Sequence, residues 1–465
     1  MKRLLLVLTL TGCMTMALSC SPANQSAALP AGSVKIMTLD PGHFHAALVQ
    51  KFSYAAVSPE VHVFAPLGSD VQDHLDRIKG FNTRAEKPTN WNEIVYTGPD
   101  FLDKMLKDRP GNLVVMAGNN RLKTRYIKAC ADAGLNQLCD KPMCIDTKGF
   151  DLLVSAFESA KKNKVLLYDI MTERSEIATI LQKELMHIEP VFGQLQKGTA
   201  ENPAVETESV HHLYKEVAGV PLKRPGWYFD TNQQGEGIVD VTNHLVDLVQ
   251  WQCFPEQIID YKKDIQLTAA KRWPTMITKE QYSRVTKLDD FIPELKPRLD
   301  ANGVLPCYTN GEINYAIKGV HARVRVEWNF EAPAGAKDTH FATVKGSKAN
   351  LIIRQGKEQN YRPELYIEPA AADNIIPLAV ALPRAVAQLQ AKYPGIILER
   401  LPNNLWHIQV PDKYHVGHEA HFGEVTERYL KYLAAGKLPD WEVPNMIAKY
   451  FVTTSALELA KQNPK

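Results

Sequence analysis

Between residues 34 and 168 the sequence switches repeatedly between two hydrophobic periods, and this alternation is what most constrains the fold. Short β-branched runs at 34–39, 61–65, 94–96, 113–117, 137–139 and 164–168 each lead into turn residues or a helix start. The stretches 45–52, 71–78, 100–107, 122–133 and 148–162 instead repeat their apolar residues every three or four positions, the period of an amphipathic helix. Strands separated by whole helices pair in parallel, whereas tight turns would serve antiparallel ones. Residues 34–170 are therefore expected to form a doubly wound parallel α/β sheet.

After Arg174 the character changes. A helix running through Met186 is followed by polar strands, a helix over 235–251, and segments at 322–330 and 340–354 that alternate as half-buried antiparallel strands do. Helices at 417–433 and 444–462 close the chain, and the proline-rich stretch 375–402 reads as an insertion or loop. The expectation is a second, α+β domain over 171–465 with a large, mainly antiparallel sheet. Helices would cover one face of that sheet and leave the other for a partner subunit, making a homo-oligomer. A chain of 465 residues, 45% hydrophobic and 23% charged, is long enough for separate cores. Its net charge of +2 offers no basic excess for a phosphate backbone, which argues against nucleic acid as a partner.

Residues 1–20 read as a signal segment: Lys2 and Arg3 precede an apolar run ending at Leu10, and small residues and cysteines follow. Cys20 is preferred over Cys13 as a lipid-modified residue, with 21–33 as a polar linker. Cleavage without a lipid is the alternative. Either way the protein is expected to be exported, periplasmic or tethered, touching the membrane only through a lipid anchor. The stretch 375–391 is broken by Pro377 and Pro383 and is not expected to span a bilayer. Cys130, Cys139, Cys144, Cys253 and Cys307 are odd in number and lack metal-ligand spacing, so they read as buried thiols.

The chemistry concentrates in two places. Gly134 to Met143 sets Asp140-Lys141-Pro142 just after a short apolar strand, at the carboxyl edge where α/β sheets bind ligands. About a hundred residues on, Asp240 and His244 stand four apart on the expected helix, so that the carboxylate can orient the imidazole. These stretches resemble the Glu-Lys-Pro and Asp-x-x-x-His motifs of the Gfo/Idh/MocA family, and Arg174 and Phe192-Gly193 match the start of that family's second domain. The resemblance implies NAD(P)-dependent chemistry on sugars and related polyols. It also implies that Lys141, Asp240 and His244 converge between the domains. His244 would be the general acid/base, Lys141 would hold the reacting oxygen, and Asp240 would position them.

A Rossmann dinucleotide site needs a glycine turn between the first strand and its helix. Here Asp40, Gly42 and His45 stand where three glycines would, and only the middle one is kept. Asp40, Gly42, His43, Phe44 and His45 are the candidate diphosphate turn. Ser69 and Asp70, in the turn after the second strand, could reach the ribose in place of the missing acid. Gly118, Asn119, Asn120, Asp140, Lys141 and Pro142 are the nicotinamide-side residues. NAD is favoured over NADP and is expected to be tightly bound. His43 and His45 are not read as metal ligands, because alternate residues at a helix start diverge by about 200°. Arg174, His211, His212, Trp227 and Tyr228 are the candidate substrate residues; the aromatic pair could stack on a sugar face, or Tyr228 could pack in the core. Of His415, His418 and His421, either one lines the site or all belong to core and surface. The expected function is oxidation or reduction of a secondary hydroxyl or keto group on a sugar or glycoside. A glycosidase using bound NAD as a transient oxidant and a cofactor-less carbohydrate-binding protein are the alternatives.

Overall fold

The computed structural model describes residues 28–217 and 220–462. The signal segment 1–20, Cys13, Cys20 and most of the linker lie outside the described residues. In the first domain, strands β1 (Ile36–Leu39), β2 (Glu60–Ala65), β3 (Asn92–Thr97), β4 (Leu113–Met116), β5 (Asn136–Asp140) and β6 (Leu167–Ile170) alternate with helices α1 (His45–Leu48), α2 (Ser69–Thr83), α3 (Phe101–Asp108), α4 (Asn120–Asp132) and α5 (Thr147–Asn163). The sheet runs β3-β2-β1-β4-β5-β6, all parallel. All four residues of β1 and of β4 are buried, as strands covered by helices on both faces require. The order reverses between β1 and β4, so the loops after these strands splay apart and form the binding edge.

Two boundaries differ from the pattern reading. α1 stops after four residues, and Lys164 is not strand but the left-handed cap of α5, with φ 56° and its amide on the carbonyls of Ala160 and Lys161.

The second domain carries α6 (Ile177–Met186), β7 (Val205–Tyr214), α7 (Thr242–Cys253), β8 (Ile265–Ile277), β9 (Leu305–Ile317), β10 (Val320–Glu331), β11 (Thr339–Lys345), β12 (Ala349–Gln355), β13 (Glu364–Pro369), α8 (Ile375–Leu389), β14 (Ile397–Arg400), β15 (Trp406–Gln409), α9 (His418–Ala435) and α10 (Glu442–Gln462). Its nine strands form one sheet in the order β8-β9-β10-β7-β11-β12-β13-β15-β14, antiparallel except where β7 meets β10. Along β10, Val320, Ala322, Val324, Val326 and Trp328 are buried and the residues between them half-buried. Val324 and Ile353 share one core with Leu181 of α6, Val246 of α7 and Val452 of α10. Intervening side chains pair among themselves, Arg323 with Glu206 and Arg325 with Glu327.

The stretch expected to be a loop holds α8, which runs through Pro383. Pro377 falls in the first turn, where amides have no intrahelical partner, and Leu378, Leu382, Ala385, Val386 and Leu389 bury one stripe. That burial outweighs the single bond Pro383 removes, roughly 3 kcal/mol.

The closing helices do not belong to the second domain alone. Phe422, Val425 and Tyr429 of α9 and Met446 and Tyr450 of α10 lie in the core of the first sheet, while Ala448, Val452 and Ala456 of α10 lie in that of the second. Helix α10 is apolar on opposite sides because it stands between two cores.

Candidate active site

Lys141 follows β5 directly, at the carboxyl edge of the first sheet, and its ammonium donates to Asp240 Oδ1 at 2.5 Å. Asp240 Oδ2 accepts from Gln234 Nε2 at 3.2 Å. Burial works against both charges, but each is outweighed by its partner: Asp240 and Asp140 hold the Lys141 amine above its usual range, and Lys141 holds Asp240 below the usual carboxylate range.

Asp240 is not on a helix with His244. It sits at φ −105°, ψ −86° between a short 3-10 turn, Gly237–Val239, and α7. A Cβ on Gly237 would lie 1.7 Å from the carbonyl oxygen of Thr309 on β9, so this turn is pressed against the sheet as only glycine permits. The kink aims Asp240 at Lys141 instead of at His244. His244 occupies the first turn of α7, its Nδ1 buried without a hydrogen-bond partner among the described residues. Burial and the charge of Lys141 press its pKa down to about 3, so the imidazole is neutral.

These groups share a cavity of about 850 Å³ with Asp140, His211, Tyr228 and His418. His211 stacks on Trp328 with ring centroids 4.8 Å apart and contacts Asp338, which also takes Lys215 Nζ at 2.7 Å. Asp338 lines the cavity too, yet no motif marked it: it is a lone acid in a loop. His418 is the member of the late histidine triplet nearest His45, with ring centroids 5.2 Å apart, and His421 lines the cavity beside it.

Three substrate candidates are placed elsewhere. Arg174 is buried, donating to both oxygens of Asp247 at 2.6 and 2.7 Å and to Glu442 at 3.0 Å, so its guanidinium is consumed by structure. His212 is buried and does not line the cavity, its Nδ1 meeting Asp338 Oδ1 at 2.9 Å. Trp227 lies over the glycine turn, its Nε1 donating to Asp70 at 2.8 Å.

That turn keeps the backbone a glycine would give. Asp40 adopts φ 47°, and its carboxylate accepts from Asn119 Nδ2 at 2.6 Å and Tyr126 at 3.1 Å. Gly118, at φ 99°, packs against the 42–43 backbone so closely that a Cβ there would stand 2.5 Å from His43 N. Asn119 Oδ1 accepts from Gln233, and Asn120 Nδ2 donates to the carbonyl of Gln234, both at 2.7 Å. The second domain's segment from Trp227 to Gln234 thus rests on the first domain's binding edge. Ser69 opens α2 beside Asp70, the residue that actually meets Trp227. His43 and His45 do not diverge as a helical pair would. α1 begins only at His45, which leaves His43 in the turn, and the rings meet edge to face 4.0 Å apart against Asp140.

Residues 181–461 match the family described as "Putative oxidoreductase C terminal domain". The chain belongs to this oxidoreductase family. It is similar to a "putative oxidoreductase" from Parabacteroides merdae over 94% of its own length and 99% of the other chain, with 56% identity and a TM-score of 0.92. The oxidoreductase also shares its fold with levoglucosan dehydrogenase in complex with NADH and levoglucosan (11% identity, 92% and 97% coverage, TM-score 0.56). Biliverdin reductase from Synechocystis sp. PCC 6803, in complex with biliverdin and NADP+, is similarly distant (10%, 92% and 99%, 0.55). No curated protein matches the chain. The resemblance to the Gfo/Idh/MocA family drawn from the Lys141 and Asp240 motifs holds, and the fold is the expected pair of a Rossmann sheet and a large, mostly antiparallel one.

Those two distant structures hold a nicotinamide cofactor. Gly118, Asn120, Asp140 and Lys141 line the cavity, with the unpartnered Nδ1 of His244 buried beside it. At the diphosphate end Gly42 is kept, but Trp227 covers it: a Cβ there would meet the indole at 3.2 Å.

Proposed function

We propose that this oxidoreductase oxidises or reduces a secondary hydroxyl or keto group of a sugar or glycoside with a nicotinamide cofactor, NAD favoured, held tightly at the sheet edge. The observation that carries the reading is the Lys141–Asp240 ion pair in one cavity with a neutral His244 whose Nδ1 has no hydrogen-bond partner among the described residues. When bound, the nicotinamide ring supplies the hydride acceptor or donor. Lys141 donates a hydrogen bond to the reacting oxygen and favours its negative charge as the hydroxyl proton leaves. Asp240 keeps that amine charged and aimed. His244 offers a free lone pair, takes the proton at nitrogen, and returns it in the reverse direction. In the same cavity His211, Tyr228 and Asp338 present a ring face and a carboxylate, the two kinds of group that grip a sugar's C–H surface and its hydroxyls. Lys2, Arg3 and the apolar run after them support a place outside the cytoplasm, on a lipid at Cys20. There, a cofactor retained through turnover is the workable arrangement.

The test is to denature the purified protein, identify released nucleotide by mass spectrometry, and assay sugar oxidation with an artificial acceptor and no added NAD. Stoichiometric NAD together with acceptor-dependent formation of a keto-sugar supports the proposal. A protein that purifies empty and oxidises no sugar when NAD is supplied overturns it.

A further inference from the structure

The cavity contains a second constellation beside the Lys141–Asp240 pair. One ligand atom from each of His43, His45 and Asp140 lies within 4.8 Å of the others, and the Nδ1 atoms of the two imidazoles stand 3.6 and 3.0 Å from the same carboxylate oxygen, Asp140 Oδ2. We propose that these three side chains bind one divalent first-row transition-metal ion. Ligands about 2.0–2.2 Å from a common ion stand ~2.8–3.6 Å apart in octahedral or tetrahedral arrangements, which is the spacing seen here between each imidazole and the carboxylate. Two imidazoles with one carboxylate select zinc, iron, cobalt or nickel over magnesium and calcium, which prefer oxygen donors. On binding, each neutral imidazole turns the Nδ1 lone pair to the ion and carries its single hydrogen on Nε2, so the hydrogen that His45 Nδ1 shares with Asp140 passes to Nε2 through solvent and no net proton is released.

The surroundings hold the ligands in place. The Phe422 ring packs 4.6 Å from that of His45. Lys123 Nζ donates to the backbone carbonyls of Asp140 at 3.0 Å and Pro142 at 3.1 Å, fixing the end of β5. The nearest ammonium on the cavity wall, Lys141, is paired with Asp240, while the buried Lys123 turns its ammonium to the backbone carbonyls of Asp140 and Pro142. All three ligands line the 850 Å³ cavity, which leaves the ion's remaining positions to water or a substrate oxygen. His418, its ring 5.2 Å from that of His45, stands close enough to approach as a fourth ligand.

This inference does not rest on the hydride-transfer reading, and the test separates them. The full chain, stripped with a chelator, is titrated with Co²⁺ and with Zn²⁺, followed by visible absorption and calorimetry, with Mg²⁺ as the control. One Co²⁺ and one Zn²⁺ per chain are expected, with no Mg²⁺ binding at the same concentrations. His43→Ala and His45→Ala should each weaken Co²⁺ binding by at least the ~10–100-fold seen on loss of a mere outer-shell partner. Thermal melting of the stripped variants shows that the fold persists, and His45→Gln serves if His45→Ala melts early. Absence of stoichiometric Co²⁺ and Zn²⁺ binding, or unchanged affinity in both folded variants, overturns the site whether or not nucleotide copurifies.

Discussion

Lys141 and Arg174 are both buried cations held by carboxylates, but only Lys141 has a side open to a cavity. We expect Lys141→Ala and His244→Ala to lower turnover by ~10²–10⁴-fold, the usual loss for a group handling the reacting proton or oxygen, with melting temperatures near wild type. Steady-state kinetics beside a melting curve checks this, and rates within a few-fold of wild type would remove both from the mechanism. Arg174→Ala should act the other way round. It leaves Glu442 buried without its cation and Asp247 with Lys449 alone, and should cost about 3–5 kcal/mol of stability, read by denaturant unfolding. Lys141, Asp240 and His244 were legible because order and spacing along the chain mark them. Arg174 was misread as a substrate residue because its partners lie 73 and 268 residues away in sequence, and no local pattern encodes such a pairing. Asp240 was found for the right motif with the wrong partner, since only the contact of Gly237 with Thr309 reveals the kink.

At the scale of elements, periodicity located every strand of the first sheet, and its misses have a common cause in tertiary packing. The expected helix over 235–251 begins only at Thr242, because Gly235 at φ 94° and the pressed Gly237 break it. α8 forms despite its prolines because its apolar stripe is buried. The segment from Trp227 to Gln234 had no signature as a cover, yet it joins the two domains through the Trp227–Asp70 and Gln233–Asn119 hydrogen bonds. If that cover retains the cofactor, Trp227→Ala should speed both entry and release of nucleotide. Dialysis followed by quantification of the bound nucleotide reads this directly. Retention as slow as in wild type would show that the indole is packing and not a gate.

For the molecule as a whole, buried neutral histidines set the acid limit of stability. Burial presses His74 and His340 to about 4, and His244 to about 3, against an unfolded value near 6.5. Above pH ~6.5 all three are neutral folded or unfolded, and stability is at its full value. As the pH falls from there toward 4, the unfolded chain takes up protons that the folded one refuses. Stability then drops by about 1.4 kcal/mol per pH unit for each such group. Urea unfolding between pH 7.5 and 4.5 should show this slope, and a flat profile would mean these imidazoles are protonated in the fold. The two sheets were legible in the sequence, but the docking of α9 on the first core and the sharing of α10 between both were not, because a helix apolar on opposite sides names no single partner. That sharing bears on how the chain is made. Synthesis delivers β1 to β6 first, while Phe422, Tyr429 and Tyr450, which complete their core, emerge only in the last fifty residues or so. Through most of translation the N-terminal sheet thus keeps an apolar face uncovered. Until its end arrives, the half-made chain carries the kind of exposed apolar surface that favours aggregation.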